Sequence, residues 1–405
     1  MSVNFKVKES ALAKLEEELN QVLLDGISVG GLLAGTLLIE LMNGNRNWDR
    51  KTRLADHLAS INLRFRKNRG YFQSKGDETA LKKLGQGKGL LSFISDRPHL
   101  LGINKTLWDN SKNPLVGVIF KSWIRDSFQV EEQLRLIDAK HLLAPDNEEW
   151  RSVYKEIGPG IRKMFKVFVR ANKLPGYVAR RLNNKLMEQT QALLAFRRTL
   201  GVLRPKYVVV EHDRYSLTSP LVLAAKALNI PSYTMMHGAV NSRFGYLPLI
   251  ANHLFCWGHR QKRLLENHGA LDAQIVVTGA PQLSSELKGN QLALKQKFDF
   301  SNQQVFLLGT NPVTPNLRDA LVRMFCEAVC DNKAFKGIIR LHPSENKSQY
   351  QDLIQAFPDV IFDNGSLLSF DESLTIADAI CVYNSAFGLD AMLKSKPLLV
   401  LNVDS

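Results

Sequence analysis

Residues 376–401 read IADAICVYNSAFGLDAMLKSKPLLVL, and the fold is decided here. Ala379–Val382 is an apolar run of strand length, Tyr383-Asn384-Ser385 is a polar break, residues 385–394 have helical spacing, and Leu398–Leu401 is a second apolar run. Strand, helix and strand in so short a span predict a βαβ unit with parallel strands. Upstream the alternation repeats: strands at Val305–Leu308, Gly337–Leu341 and Val360–Phe362, with helices at 316–331, 347–356 and near 371–376. An earlier block has strands at Tyr207–Glu211, Pro231–Met236, Leu254–Trp257 and Ile275–Thr278, with helices at Ser219–Leu228 and Gln261–Asn267. The polar stretch Ser284–Gln304 separates the blocks. The expected fold is α/β, two Rossmann-like parallel-sheet domains facing a central cleft, with an N-terminal domain over 1–284 carrying helical additions and a C-terminal domain over 285–405. Ligands of such sheets bind beyond the carboxyl ends of the strands. The last residues follow directly on a strand, so a closing helix is expected further along the gene.

The front of the chain is less regular. Residues 2–24 have Leu12, Leu15, Leu19 and Leu23 at helical spacing. Gly26–Met42 is apolar but short, with four glycines and Glu40, and reads as a buried helix rather than a membrane span. Residues 45–88 are polar and basic. Gly89–Ser95 and Leu115–Phe120 read as strands, and 126–142, 149–172 and 178–203 as helices. No apolar core of secretory type stands at the N-terminus, so a cytoplasmic protein is expected. Four cysteines among 405 residues exclude a disulfide framework and read as buried thiols.

The chain has 53 Lys and Arg against 39 Asp and Glu, a net charge of +14. Residues 151–206 hold 14 of the basic residues and only two acids, Glu156 and Glu188, which is +12 of that total. This stretch reads as a solvated helical face or as a contact with the inner surface of the plasma membrane, where each basic residue contributes about 1 kcal/mol. No RNP, KH, zinc-finger or helix-turn-helix signature accompanies the charge, so nucleic acid is not the expected partner.

Four constellations stand at strand ends. His237-Gly238 follows PSYTMM, and a histidine there suits a general base or a phosphate donor; Gly238 allows a tight turn with backbone N–H groups exposed to a ligand. Glu211-His212-Asp213 follows YVVV; Glu211 or Asp213 could be base or nucleophile, or a loop acid or cap. RLHPSE places His342, Pro343 and Ser344 after GIIRL, and Pro343 is expected to start a helix whose N-terminus makes an anion site. In YNSAFGLD, Ser385 and Ala386 open a helix for phosphate, with Asp390 set to accept from a ribose hydroxyl. Gly309-Thr310-Asn311 after VFLL, and Gly279-Ala280-Pro281-Gln282 after IVVT, are lesser candidates. No Walker, Rossmann GxGxxG, EF-hand or zinc spacing occurs, so no metal or bound cofactor is expected.

The order His-Gly, strand–HP, strand–NS resembles GT-B glycosyltransferases of bacterial surface-polysaccharide assembly. IPSYTMMHGAV, FCWGHRQKRLLENHG, IVVTGAPQL, RLHPSE and YNSAFGLDAMLKSKPLLVLN carry the likeness over roughly residues 205–402. They are similar to β-Kdo transferases, polysialyltransferases and teichoic-acid glycerophosphotransferases. The resemblance implies a GT-B fold and a cytidine-activated donor of CMP-Kdo or CMP-sialic acid type. It implies transfer to a lipopolysaccharide or capsule glycan, free or lipid-linked, by a peripheral membrane enzyme. His342 and Pro343 would then face the nucleotide phosphate and Ser385 the phosphate or sugar. His237, Asp213 or Glu211 would serve as base or nucleophile, the stereochemical outcome being open. The competing readings are a UDP-sugar 2-epimerase, which shares the architecture and needs no acceptor, and a non-catalytic scaffold.

Overall fold

The fold is that of a computed structural model, which describes residues 7–33, 38, 41, 78–94, 98–238, 240, 243–280, 289–385 and 387–402. The chain divides into two compact units, Met1–Gln282 and Leu283–Ser405.

The first unit is built on a seven-stranded parallel sheet. Its strands are β1 (Gly89–Phe93), β2 (Leu115–Ile119), β3 (Leu136–Asp138), β4 (Tyr207–Val210), β5 (Ser232–Met235), β6 (His253–Cys256) and β7 (Ile275–Val277), in spatial order β3-β2-β1-β4-β5-β6-β7. Every residue of β1 and β2 is buried, as parallel strands covered on both faces must be. The chain leaves β1 in one direction and β4 in the other, so the switch point lies between these two strands.

Helices α1 (Glu9–Asn20), α2 (Glu78–Gly85), α3 (Pro98–Asn110), α4 (Val130–Gln133), α5 (Asn147–Ala171), α6 (Gly176–Leu203), α7 (Ser219–Ala227) and α8 (His259–Asn267) complete this unit. The long pair α5 and α6 forms the crossover from edge strand β3 back to β4. Asp146 starts α5 by accepting from the amides of Glu148 and Glu149 at 3.0 and 2.8 Å. Trp150, Ile157, Ile161 and Phe165 recur along its inner face and join the main core, each burial contributing about 1.5–3 kcal/mol.

The second unit has a five-stranded parallel sheet: β8 (Gln304–Gly309), β9 (Phe335–Arg340), β10 (Ile361–Asp363), β11 (Ala379–Val382) and β12 (Leu398–Val400), in order β10-β9-β8-β11-β12. Helices α9 (Gln291–Lys297), α10 (Pro315–Cys330), α11 (Gln351–Ala356), α12 (Phe370–Ile376) and α13 (Phe387–Leu393) connect and cover it. Its switch point lies between β8 and β11.

The structure corrects the sequence reading mainly in the first half. Residues 126–142 are not one helix: α4 is short, and Leu136–Asp138 pairs with β2 as a buried edge strand. A short apolar run fits either period, and sheet pairing settled it. The first helix stops at Asn20 because Leu24 pairs with Ile27 across Asp25-Gly26, both at positive φ (49° and 78°). Asp-Gly is the signature of that tight hairpin turn. The segment from Gly26 continues as a strand and a 3-10 turn, Gly30–Leu32; much of the helix expected to run to Met42 lies outside the described residues, as do 45–77. Cys256, Cys326 and Cys381 are buried thiols, but Cys330 is exposed. Among the described residues no helix is long and apolar enough to cross a membrane.

Candidate functional site

At the switch point of the first unit, Glu211 follows β4 with zero exposure. Its carboxylate accepts from Ser92 Oγ at 2.6 Å and from the Ile94 amide at 2.8 Å, both on β1 or its end. Asn104 of α3 in turn donates to the Ser92 carbonyl at 2.6 Å. Burial pushes the Glu211 pKa up despite these bonds. The carboxylate therefore joins the ends of β1 and β4 from inside.

Asp213 also has zero exposure. Its Oδ2 accepts from the Ile250 and Ala251 amides at 2.7 and 2.9 Å, fixing the loop before β6. Burial raises its pKa as well. The neighbouring Arg214 is fully buried and pairs at 2.5 Å with Glu16 of α1, a carboxyl that burial also pushes up. Both expected carboxylates thus bond to groups inside the protein. In this arrangement they position backbone, and neither presents an oxygen to solvent.

Between them the chain builds an aromatic group. The Arg214 amide donates to His212 Nδ1 at 3.1 Å, so that nitrogen is unprotonated. Burial, then the charges of His237 and Arg214, hold the His212 pKa well below 6.5, and the ring is neutral at working pH. His212 stacks on His237, centroids 4.6 Å apart at 26°. His237 Nδ1 lies 2.9 Å from the Glu211 carbonyl, which can only accept. The neutral ring therefore carries its proton on Nδ1 and its lone pair on Nε2. Tyr246 packs 5.3 Å from His237. Its hydroxyl donates to the Gly238 carbonyl at 2.9 Å and accepts from the Gly238 amide at 3.1 Å. This corrects the expectation of an exposed N–H at Gly238: Tyr246 takes it.

In the second unit, Gly309-Thr310-Asn311 leaves β8 and Tyr383-Asn384-Ser385 leaves β11. Glu345 ties the ends of β8 and β9 together. It accepts from Thr310 Oγ1 at 2.5 Å, from the His342 amide at 3.1 Å and from the buried Tyr350 hydroxyl at 2.9 Å. The His342 amide also donates to Thr310 Oγ1 at 2.9 Å. His342 Nδ1 accepts from the Ser344 amide at 3.1 Å, so the neutral ring carries its proton on Nε2 and is a donor. Pro343 is exposed in a turn, and the following helix begins only after Asn346, which caps it by accepting from the Ser348 amide at 3.1 Å. His342 is therefore not at a helix N-terminus. The turn after β9 is held instead by the histidine ring itself, through the amide and hydroxyl of Ser344.

Ser385 caps α13, its Oγ accepting from the Phe387 amide at 3.3 Å, while Ala386 lies outside the described residues. Gly309 is required by this helix: a Cβ there would lie 2.6 Å from the Phe387 ring. Asn311 Oδ1 is buried with no hydrogen-bond partner. Asp390 is half-buried on α13, and burial pushes its pKa up to about 6 against the pull of Lys394. Gly279 and Ala280 follow β7, with Pro281 and Gln282 outside the described residues. Among the described residues no group of three or more metal-ligating side chains assembles. His212 lay in the Glu211-His212-Asp213 constellation and Glu345 in RLHPSE, neither with a role of its own; Tyr246 and Ser92 were not singled out by sequence, and nothing local marks them.

Each unit is thus a Rossmann-like sheet with its polar side chains gathered at the carboxyl ends of the strands, the GT-B-like class. No family model matches the chain, and no curated protein matches it in sequence. Solved structures do. A Listeria monocytogenes protein proposed to be a UDP-N-acetylglucosamine 2-epimerase is 13% identical with a TM-score of 0.50, over 78% of this chain and 80% of that one. Staphylococcus aureus MnaA, solved with UDP, is 12% identical with a TM-score of 0.49, over 78% and 80%. The Neisseria meningitidis UDP-GlcNAc 2-epimerase bound to UDP-GlcNAc is 16% identical with a TM-score of 0.47, over 78% and 82%. At such identities the likeness establishes the fold. It also corrects the expectation of a CMP-Kdo or CMP-sialic acid glycosyltransferase of lipopolysaccharide or capsule. The Listeria structure is that of a protein proposed to act on a UDP-sugar, where that expectation required a cytidine-activated one.

Proposed function

We propose that this chain binds a UDP-sugar and inverts its C2 centre, as a UDP-sugar 2-epimerase. The observation that carries the reading is the His237–His212 pair at the ends of β5 and β4. One ring is held through Nδ1–H by a carbonyl, so that Nε2 is the basic nitrogen, and the other is kept neutral beside it. Inversion at C2 balances when a base takes the C2 proton while that electron pair forms a C1=C2 double bond and expels UDP from C1. UDP then adds back to C1 as a proton is delivered to the opposite face of C2, so the reaction asks for a base whose protonation is fixed by its surroundings. His237 is assigned that role. A neutral neighbour lets His237 gain a proton without facing a second positive charge. Asp213 and Glu211 hold the loops that carry the two rings. In the second unit, Thr310 and Ser344 set the turn that carries His342. The fold shared with the Listeria protein supports the choice of a UDP-sugar. A thermal-shift panel tests the ligand: UDP at 100 times its dissociation constant stabilises by about 2.7 kcal/mol, and CMP at equal concentration gives no shift. A shift with CMP alone refutes the reading.

A further inference from the structure

The basic stretch between β3 and β4 is divided unequally by the structure. On α6 three of the basic residues have carboxylate partners. Lys185 pairs with Glu188 at 2.9 Å and Arg197 with Asp25 at 2.5 Å, while Arg198 pairs with Asp146 at 3.2 Å and with Glu149. On α5, Arg151, Lys155, Lys163, Lys166 and Arg170 are all exposed, and among the described residues no carboxylate pairs with any of them. At 3.6 residues per turn these five fall within an arc of about 120° and span about 28 Å of helix. Beyond the first turn the only acid on α5 is Glu156, at the edge of that arc. Val167, 57% exposed, flanks it on the same side.

We infer that this face of α5 docks on an anionic lipid surface. The opposite face is anchored in the core by Trp150, Ile157, Ile161 and Phe165, so the five charges form a rigid row that a flat surface meets all at once. Single-stranded nucleic acid would need aromatic rings for its bases, and the arc has none; Tyr154 is half-buried with its hydroxyl bonded to Arg162 at 2.9 Å. Unpaired cations are also what a phosphate-rich bilayer surface favours, since no internal ion pair has to break first.

The test is co-sedimentation of the full chain with vesicles of phosphatidylcholine containing about a third phosphatidylglycerol, at low salt. The comparison is a variant carrying Lys155→Gln, Lys163→Gln, Lys166→Gln and Arg170→Gln together. Each basic residue near an anionic surface is worth about fivefold, so the four together should weaken binding about 600-fold. Raising the salt to about 0.5 M should release the wild type, since the Debye length falls to a few ångströms. The melting temperature of the variant checks that it folds. Equal sedimentation of variant and wild type overturns the inference, as does equal binding to pure phosphatidylcholine. Binding of a 20-base-pair DNA duplex without any vesicle binding overturns it too, in favour of nucleic acid.

Discussion

Asp213 separates a chemical from a structural reading of the first unit. Its Oδ2 receives two buried amides, Ile250 at 2.7 Å and Ala251 at 2.9 Å, and burial outweighs those bonds in setting a raised pKa. The fold therefore uses the oxygen as an acceptor and gains little from its charge. Asp213→Asn keeps an acceptor oxygen in place, and its expected cost is within about 1 kcal/mol, the scale of one neutral hydrogen bond. Asp213→Ala orphans two buried amides at about 1–3 kcal/mol each, so about 2–6 kcal/mol is lost. A unit of this size melts about 2 °C lower per kcal/mol, which predicts a fall of about 4–12 °C for Asp213→Ala and about 2 °C or less for Asp213→Asn. Scanning calorimetry reads the first unit's transition, and turnover of a UDP-sugar is measured on the same samples. The account expects Asp213→Asn to retain activity within about tenfold. An Asp213→Asn protein with unchanged melting and turnover reduced more than a hundredfold would refute the reasoning, because the carboxylate would then be doing chemistry.

Replacing His237 by Gln removes the lone pair on Nε2; turnover should fall by 10²–10⁴-fold while UDP affinity, measured calorimetrically, changes less than about threefold. Gly309→Ala places a Cβ 2.6 Å from the Phe387 ring, and the crowding should cost the second unit about 1–3 kcal/mol, read as a lower melting temperature. Asp390, pushed up to about 6, binds its proton more tightly folded than unfolded. Its contribution to stability is complete below the ordinary carboxylate range and is lost as pH rises through about 6. The second unit's melting temperature should therefore fall between about pH 4 and pH 6 on this account, and Asp390→Asn should flatten that slope.

The second unit was legible because its strands are continuous apolar runs closed by turn residues, and a parallel sheet brings the residue after each strand to one edge. Thr310, His342 and Ser385 were placed at strand ends on that ground alone. The first half was harder. Leu136–Asp138 is a strand only because β2 offers it a partner, and the Asp25-Gly26 turn outranks the leucine periodicity that ran through it. Roles within the site were the least legible. Glu211 accepts from the Ile94 amide and the Ser92 hydroxyl, and Asp213 from the amides of Ile250 and Ala251, all distant in sequence. His212 becomes a partner of His237 only when β4 and β5 lie side by side. Likewise, the even run of basic residues over 151–206 conceals that Lys185, Arg197 and Arg198 on α6 have carboxylate partners while Arg151, Lys155, Lys163, Lys166 and Arg170 on α5 have none among the described residues.

The central claim is that a C2–H bond is broken and remade, and deuterium reports it directly. The protein is incubated with UDP-N-acetylglucosamine in D2O, without acceptor, and the sugar is followed by proton NMR. The account predicts loss of the C2 proton signal together with appearance of the 2-epimer, both suppressed in the His237→Gln variant. A UDP-sugar that binds yet keeps its C2 proton through prolonged incubation, with no epimer formed, would contradict it.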